Sequence, residues 1–211
     1  MGLFTKDIHS LEDLYQHGLQ DIYYAENQIV KSLPKMIETA PHGELKRGLQ
    51  QHLRETQDQV RRLEQVFKLH AQDARGDKCP AIDGIIQEGD DLMGNVDDQD
   101  TLGAGIIAAA QAVEHYEITR YGALIAWAKE LGHRHDVPLL TRTLNEEKAT
   151  DKKLTALAER RINPRSGKAT ARGAGHARRR ASRSSNRAAA SRRKTSASKA
   201  GGKKKASARR A

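Results

Sequence analysis

Four stretches of this sequence carry apolar residues at spacings of three and four, and each loses its apolar character near the middle. In the first, Tyr15, Leu19, Ile22, Ile29 and Leu33 line one face, and Glu26 falls on that face between Ile22 and Ile29. In the second, Leu45, Leu49, Leu63 and Val66 are interrupted by His52, Thr56 and Gln59, with Glu55 and Asp58 one step to the side. The third reads Ile107, Ala110, Glu114, Glu117, Tyr121, Leu124, and the fourth Leu140, Leu144, Glu147, Asp151, Leu154, Ala158. This period is that of amphipathic helices, and no stretch alternates apolar with polar residues over a strand's length. Four helices that each bury one stripe predict an all-α four-helix bundle.

Local signals set the expected boundaries. Helix one begins at Ser10, with Asp13 three residues on as an imperfect capping box, and runs to about Thr39, with Pro34 expected to bend or interrupt its last turns. Helix two spans about Glu44 to His70. The linker AQDARGDKCP then leads to IDGIIQEGDDLM, a short amphipathic segment weakened by its glycines and carried in one longer crossover. Helix three runs from about Leu102 to Leu131 and ends at Gly132, and helix four starts near Pro138 and stops before Asn163-Pro164.

Antiparallel helices of similar length bring the four interruptions level, so the carboxylates converge. At least five carboxylates facing one another in a low-dielectric core repel, and a bundle built on them closes at neutral pH only around cations. Carboxylates from all four helices with imidazole in reach form an oxygen-rich set that suits a pair of Fe or Mn ions. The usual di-iron bundle places Glu-x-x-His on two helices. Here helix two has His52-x-x-Glu55, the reverse order, and helix four has Glu147-x-x-x-Asp151, which makes the expected site richer in carboxylate. On helix two Glu55 is the first choice of ligand, with His52 and Gln59 ligating or orienting ligands, and Asp58 is expected in solvent.

The chain is two materials. Its net charge is +10, yet 17 of its 37 basic residues lie after residue 162, where there is no acid, which leaves 20 basic against 27 acidic residues before it. Residues 1–162 suffice for one bundle domain. Residues 163–211 contain no aliphatic side chain larger than Ala and no aromatic, and are expected to be a disordered polycationic tail. Its clusters Arg178, Arg179, Arg180, then Arg192, Arg193, Lys194, then Lys203, Lys204, Lys205 suit contact with DNA or RNA phosphates without reading bases. The anionic membrane surface is the weaker competitor. No apolar run reaches about 18 residues and the first ten lack a signal's apolar stretch, so the expected location is the cytoplasm, with nucleoid association through the tail.

The segments DLYQHGLQDIYYAENQIVKSLPKM, HLRETQDQVRRLEQVF, AAAQAVEHYEITRYGAL and LNEEKATDKKLTALA, in this order and spacing, resemble the ferritin-like YciE/YciF family of bacterial stress proteins over about residues 5–160. The resemblance implies a ferritin-like bundle, a dinuclear site on Glu26, Glu55, Glu114, Glu117, Glu147 and Asp151, and a homodimer. It supplies no substrate, and the tail lies outside it.

Other residues have plainer readings. Tyr23, Tyr24, Tyr116 and Tyr121 are expected to pack in the core or an interface, with donation by Tyr121 to a ligand as the alternative. His133 and His135 in GHRHDVP read as a solvated loop, with a second metal as the alternative, and nothing in sequence near Cys79 activates its thiol. The leading functional expectation is Fe(II) oxidation or peroxide consumption at a dinuclear site held near nucleic acid. The alternatives are a non-enzymatic nucleoid-associated protein that dimerises through the bundle, and a manganese catalase-like enzyme.

Overall fold

The computed structural model describes residues 8–168; the basic clusters from Arg178 to Lys205 lie outside the described residues. Five α-helices follow in order: α1 Leu11–Thr39, α2 Gly43–Leu69, α3 Pro80–Asn95, α4 Gln99–Leu131 and α5 Asp136–Leu157. α1 packs on α2 and α4, and α5 on α2 and α4, which closes the four-helix bundle; α3, within the long connection from α2 to α4, lies against α4 and α1.

The helix starts follow their local chemistry. Ser10 Oγ accepts from the Asp13 amide at 3.1 Å while Asp13 Oδ2 accepts from the Ser10 amide at 3.0 Å, so aspartate completes the capping box in place of the usual glutamate. Asp98 Oδ1 takes the Thr101 amide at 2.8 Å to start α4. Gly132, at φ 78°, ends it, and the His133 amide closes the last turn onto Ala128 O at 2.8 Å.

The interruption expected at Pro34 and the stop expected before Asn163-Pro164 are both absent. α1 is continuous through Pro34 to Thr39, because the one hydrogen bond the ring removes is outweighed by the buried anchors Leu33 and Met36 on either side. The last helix does not stop before Asn163-Pro164. It widens into an i→i+5 turn over Ala158–Ile162 and resumes as helix over 163–168. The widened turn lies just ahead of Pro164, where a regular helix would need an amide that proline lacks, and the buried Ile162 anchors it to the body.

The core has two apolar ends with a polar storey between. Tyr15, Leu19, Ile22, Leu63, Val66 and Leu124 are among the buried residues of one end, and Leu33, Leu45, Leu49, Ile106, Ile107 and Leu154 of the other. The linker after α2 crosses α1: the Asp77 amide donates to Gln20 O at 3.3 Å, and Gly76 lies so close to Tyr24 that a Cβ there would sit 2.9 Å from the Tyr24 Cα. Gly76→Val should therefore lower stability by about 1–3 kcal/mol, since backbone cannot yield as a side chain end can. Urea denaturation with an unchanged midpoint would show that the strap is not held against α1.

Candidate metal centre

The polar storey is assembled from one or two residues of each bundle helix. Glu26 of α1, Glu114 and Glu117 of α4 and Glu147 of α5 are 0% exposed, and His52 of α2 is 3% exposed. His52, Glu114, Glu117 and Glu147 each present one ligand atom, and these atoms lie within 4.8 Å of one another. His52 Nε2 is 3.3 Å from Glu114 Oε1. The spacing Glu114-x-x-Glu117 puts both carboxylates on the inner face of α4, and the flanking Ala110 and Tyr121 on that face are buried as well.

Neighbouring side chains hold one edge of this cluster. Tyr121 Oη donates to Glu26 Oε1. Gln59 Nε2 donates to Glu147 Oε1 and, at 3.2 Å, to Glu146 Oε2. Arg62, 6% exposed, clamps α2 to α5 by donating to Thr143 Oγ1 and, at 2.7 Å, to Glu146 Oε2. The other edge is unsatisfied. Glu26 Oε2, both oxygens of Glu114 and of Glu117, Glu147 Oε2, His52 Nδ1 and Gln59 Oε1 are buried without a hydrogen-bond partner. Buried polar atoms are rarely left so, and this many in one place call for a ligand.

Electrostatics give the same account. Burial pushes the Glu26, Glu114 and Glu117 carboxyls well above the ordinary range, and the charge of Glu147 raises each further. Glu147 is pushed up to about 7, chiefly by burial, against which the Gln59 hydrogen bond acts. Burial lowers His52 to about 4, so at neutral pH its imidazole keeps a lone pair to offer. Without cations these carboxyls hold protons; with two divalent ions, four ionised glutamates and a neutral histidine balance to zero charge. The donor set, oxygens with one imidazole, fits Fe or Mn.

The structure sorts the residues read from sequence. It brings Glu26, Glu114, Glu117 and Glu147 together and adds His52 as the α2 member. Glu55, the first choice on that helix, is half-buried beside the cluster and accepts from Gln51 Nε2 at 2.9 Å. Asp151 is half-buried on the α4–α5 flank, where it accepts from Gln111 Nε2 at 2.8 Å and lies 3.3 Å from His115 Nε2. The buried stripe of α5 runs Leu140, Thr143, Glu147, Thr150, Leu154, so Leu144 and Asp151 lie one step off it. Asp58 is exposed, as expected. Of the tyrosines, Tyr121 meets a cluster carboxylate, whereas Tyr24 donates to Asp83 at 2.9 Å and Tyr116 pairs with the buried Cys79 Sγ at 3.1 Å. Arg62 was missed; its signal was its place on the apolar face, four residues before Val66 and three after Gln59.

Among the described residues no helix is long and apolar enough to cross a membrane. Residues 10–166 match the protein family described as "Domain of unknown function (DUF892)". Protein YciF of Escherichia coli (strain K12) is 38% identical over 161 residues, covering 76% of this chain and 97% of that protein. YcfI from Rhodopseudomonas palustris matches in structure with a TM-score of 0.71 at 58% identity, covering 72% of this chain and 98% of that one. The crystal structure of the E. coli stress protein YciF matches with a TM-score of 0.71 at 39% identity, covering 74% and 99%. The fold is thus the ferritin-like bundle with a short extra helix in its crossover, and the chain, similar to YciF over nearly the whole length of that protein, belongs to the DUF892 family.

Proposed function

We propose that this is a stress-related protein whose bundle holds two Fe or Mn ions on Glu26, His52, Glu114, Glu117 and Glu147, and that it oxidises Fe(II) or consumes peroxide there. Glu55 and Asp151 stand at the margins of the site as further carboxylates for an incoming ion. One observation carries the reading: six carboxylate oxygens from three helices are buried with no partner around a neutral imidazole. Bound Fe or Mn would supply the one-electron couples that such oxidations need. The protein's own residues do the rest: Tyr121 orients Glu26, Gln59 orients Glu147, and the Arg62 clamp keeps α2 and α5 at the spacing the site requires. Packed side chains above and below exclude bulk water. The basic tail holds this chemistry close to nucleic acid, and the protein works as a cytoplasmic homodimer.

Full-length protein expressed with added Fe or Mn should carry about two ions per chain, and Glu114→Ala should lose them while keeping its helical circular dichroism, because the substitution removes a buried carboxyl that has no hydrogen-bond partner in the empty bundle. The same variant should lose Fe(II) oxidation by O2 or peroxide. Unchanged metal content in Glu114→Ala would overturn the assignment. Full loading without turnover would favour a structural ion in a nucleic-acid-binding protein.

A further inference from the structure

A second group of metal-capable side chains lies at the end of the bundle where α1 begins, α2 ends and α4 turns into α5. Glu12 comes from the first turn of α1, His70 from the residue after α2, and His133 from the turn before α5. One oxygen of Glu12 and one ring nitrogen from each histidine lie within 4.8 Å of one another. We propose that Glu12, His70 and His133 bind a single divalent late transition-metal ion, of which zinc is the type, independently of the carboxylate centre.

The surroundings are built as a site rather than a loose surface. Tyr15, fully buried, forms the floor, with its ring centroid 5.9 Å from His70 and 5.2 Å from His133, and the two imidazoles stand nearly perpendicular at 4.6 Å. Asp136, 2% exposed, accepts from Tyr15 Oη at 2.7 Å and contacts His70 Nε2 at 2.6 Å. A buried carboxylate on one nitrogen of an imidazole fixes the ring and leaves the other nitrogen as the lone pair offered, the usual support of a metal-bound histidine. Glu12 is divided likewise: Gln16 Nε2 donates to Oε1 at 3.0 Å, and Oε2 faces His133 Nε2 at 2.9 Å.

The donor chemistry separates the two centres. Two imidazoles and one carboxylate suit Zn(II) and its neighbours late in the first row, whereas the interior set is nearly all oxygen. Tetrahedral Zn needs donors at about 2.0–2.2 Å from the ion, so these side chains must draw in by about 1 Å, which half-buried residues at helix ends can do. Glu12 and His133 keep 43% and 23% of their side chains exposed, which leaves room for water as a fourth ligand.

The test uses full-length protein with the interior centre disabled by Glu114→Ala, titrated with Zn(II) against a chromophoric chelator and with Co(II) followed by its visible absorption. About one Zn(II) per chain should bind, and Co(II) should give the intense bands of a four- or five-coordinate site. His133→Ala and Glu12→Gln, each in that background, should weaken Zn(II) by at least about tenfold with helical circular dichroism unchanged. Failure of Glu114→Ala to bind Zn(II), or equal binding after either substitution, would overturn the proposal and leave a hydrogen-bonded helix cap. Should His133→Ala not fold, Glu12→Gln decides. Neither result bears on the interior ions, which Fe or Mn content measures separately.

Discussion

Stripped of metal, the protein should gain stability as the pH falls from about 8 to 6, and loaded with metal it should not. Glu26, Glu114 and Glu117 are raised well above an unfolded carboxyl near 4.3, and Glu147 is raised to about 7. A raised carboxyl keeps its proton in the folded state where the unfolded chain has lost it, so its stabilising contribution is complete below the unfolded value and is lost as pH rises through the folded one. Each such proton is worth about 1.4 kcal/mol per pH unit, so the three carboxyls raised well above this range give about 4 together. His52 works the other way: lowered to about 4, it contributes fully above about 6.5 and withdraws as pH falls toward 4. Glu147 adds a further proton below about 7 and His52 takes one back below about 6.5, so the apo curve should have much the same slope above 7 and below 6.5. Metal reverses the sign, because ions bind the deprotonated ligands and release protons, so holo stability should rise with pH. Urea denaturation in chelator and in excess Mn(II), across this pH range, measures both slopes. Parallel curves, or apo stability flat with pH, would sink the buried carboxylate cluster.

That cluster was legible in the sequence because helices report their buried face by period. Glu26, Glu114, Glu117 and Glu147 all sit in register with large apolar residues on both sides, and a carboxylate in that position has few explanations. The register fails where apolar residues thin out. On α5 Leu144 looked a better core residue than Thr143, yet the threonine is buried under Arg62 and the leucine is half-exposed, which carried the stripe on to Asp151 instead of Thr150. On α2 the preference for Glu55 over His52 rested on residue type, whereas geometry obeys position: His52 is three residues from Leu49 and inside, and Glu55 is one step round the helix.

Contacts between residues distant in sequence were the least legible. His133 reads as loop in GHRHDVP, and nothing local reveals that the αL turn at Gly132 swings it onto Glu12, 121 residues away. Arg62 has the same history, since its partners Thr143 and Glu146 lie on another helix. Pro164 promised an end to helix four because proline disfavours the helix before it, but the rule concerns regular hydrogen bonding, and a widened turn satisfies the backbone differently.

Removing residues 169–211 should abolish binding to duplex DNA, which intact protein should bind with similar affinity whatever the sequence. Cutting after Lys168 keeps the body whole, because Ile162 is buried and Ser166 shares a 2.9 Å hydrogen bond with Thr101. The removed segment carries 15 basic residues and no acid, and the remainder carries 22 basic against 27 acidic. A net negative body repels phosphate at distances beyond about 10 Å at low salt, so the affinity must come from the segment that is gone. If about 6 to 10 phosphates are neutralised at once, log K should fall against log[salt] with a slope of roughly −5 to −9, a loss of about 10³ to 10⁵ between 50 and 200 mM salt. Replacing Arg178, Arg179 and Arg180 together by alanine should lessen that slope by up to about three units and leave metal content unchanged. Fluorescence anisotropy with two unrelated duplexes across a salt series reads all of this. Binding by the truncated protein, or a strong preference for one duplex, would place a recognition surface on the bundle itself.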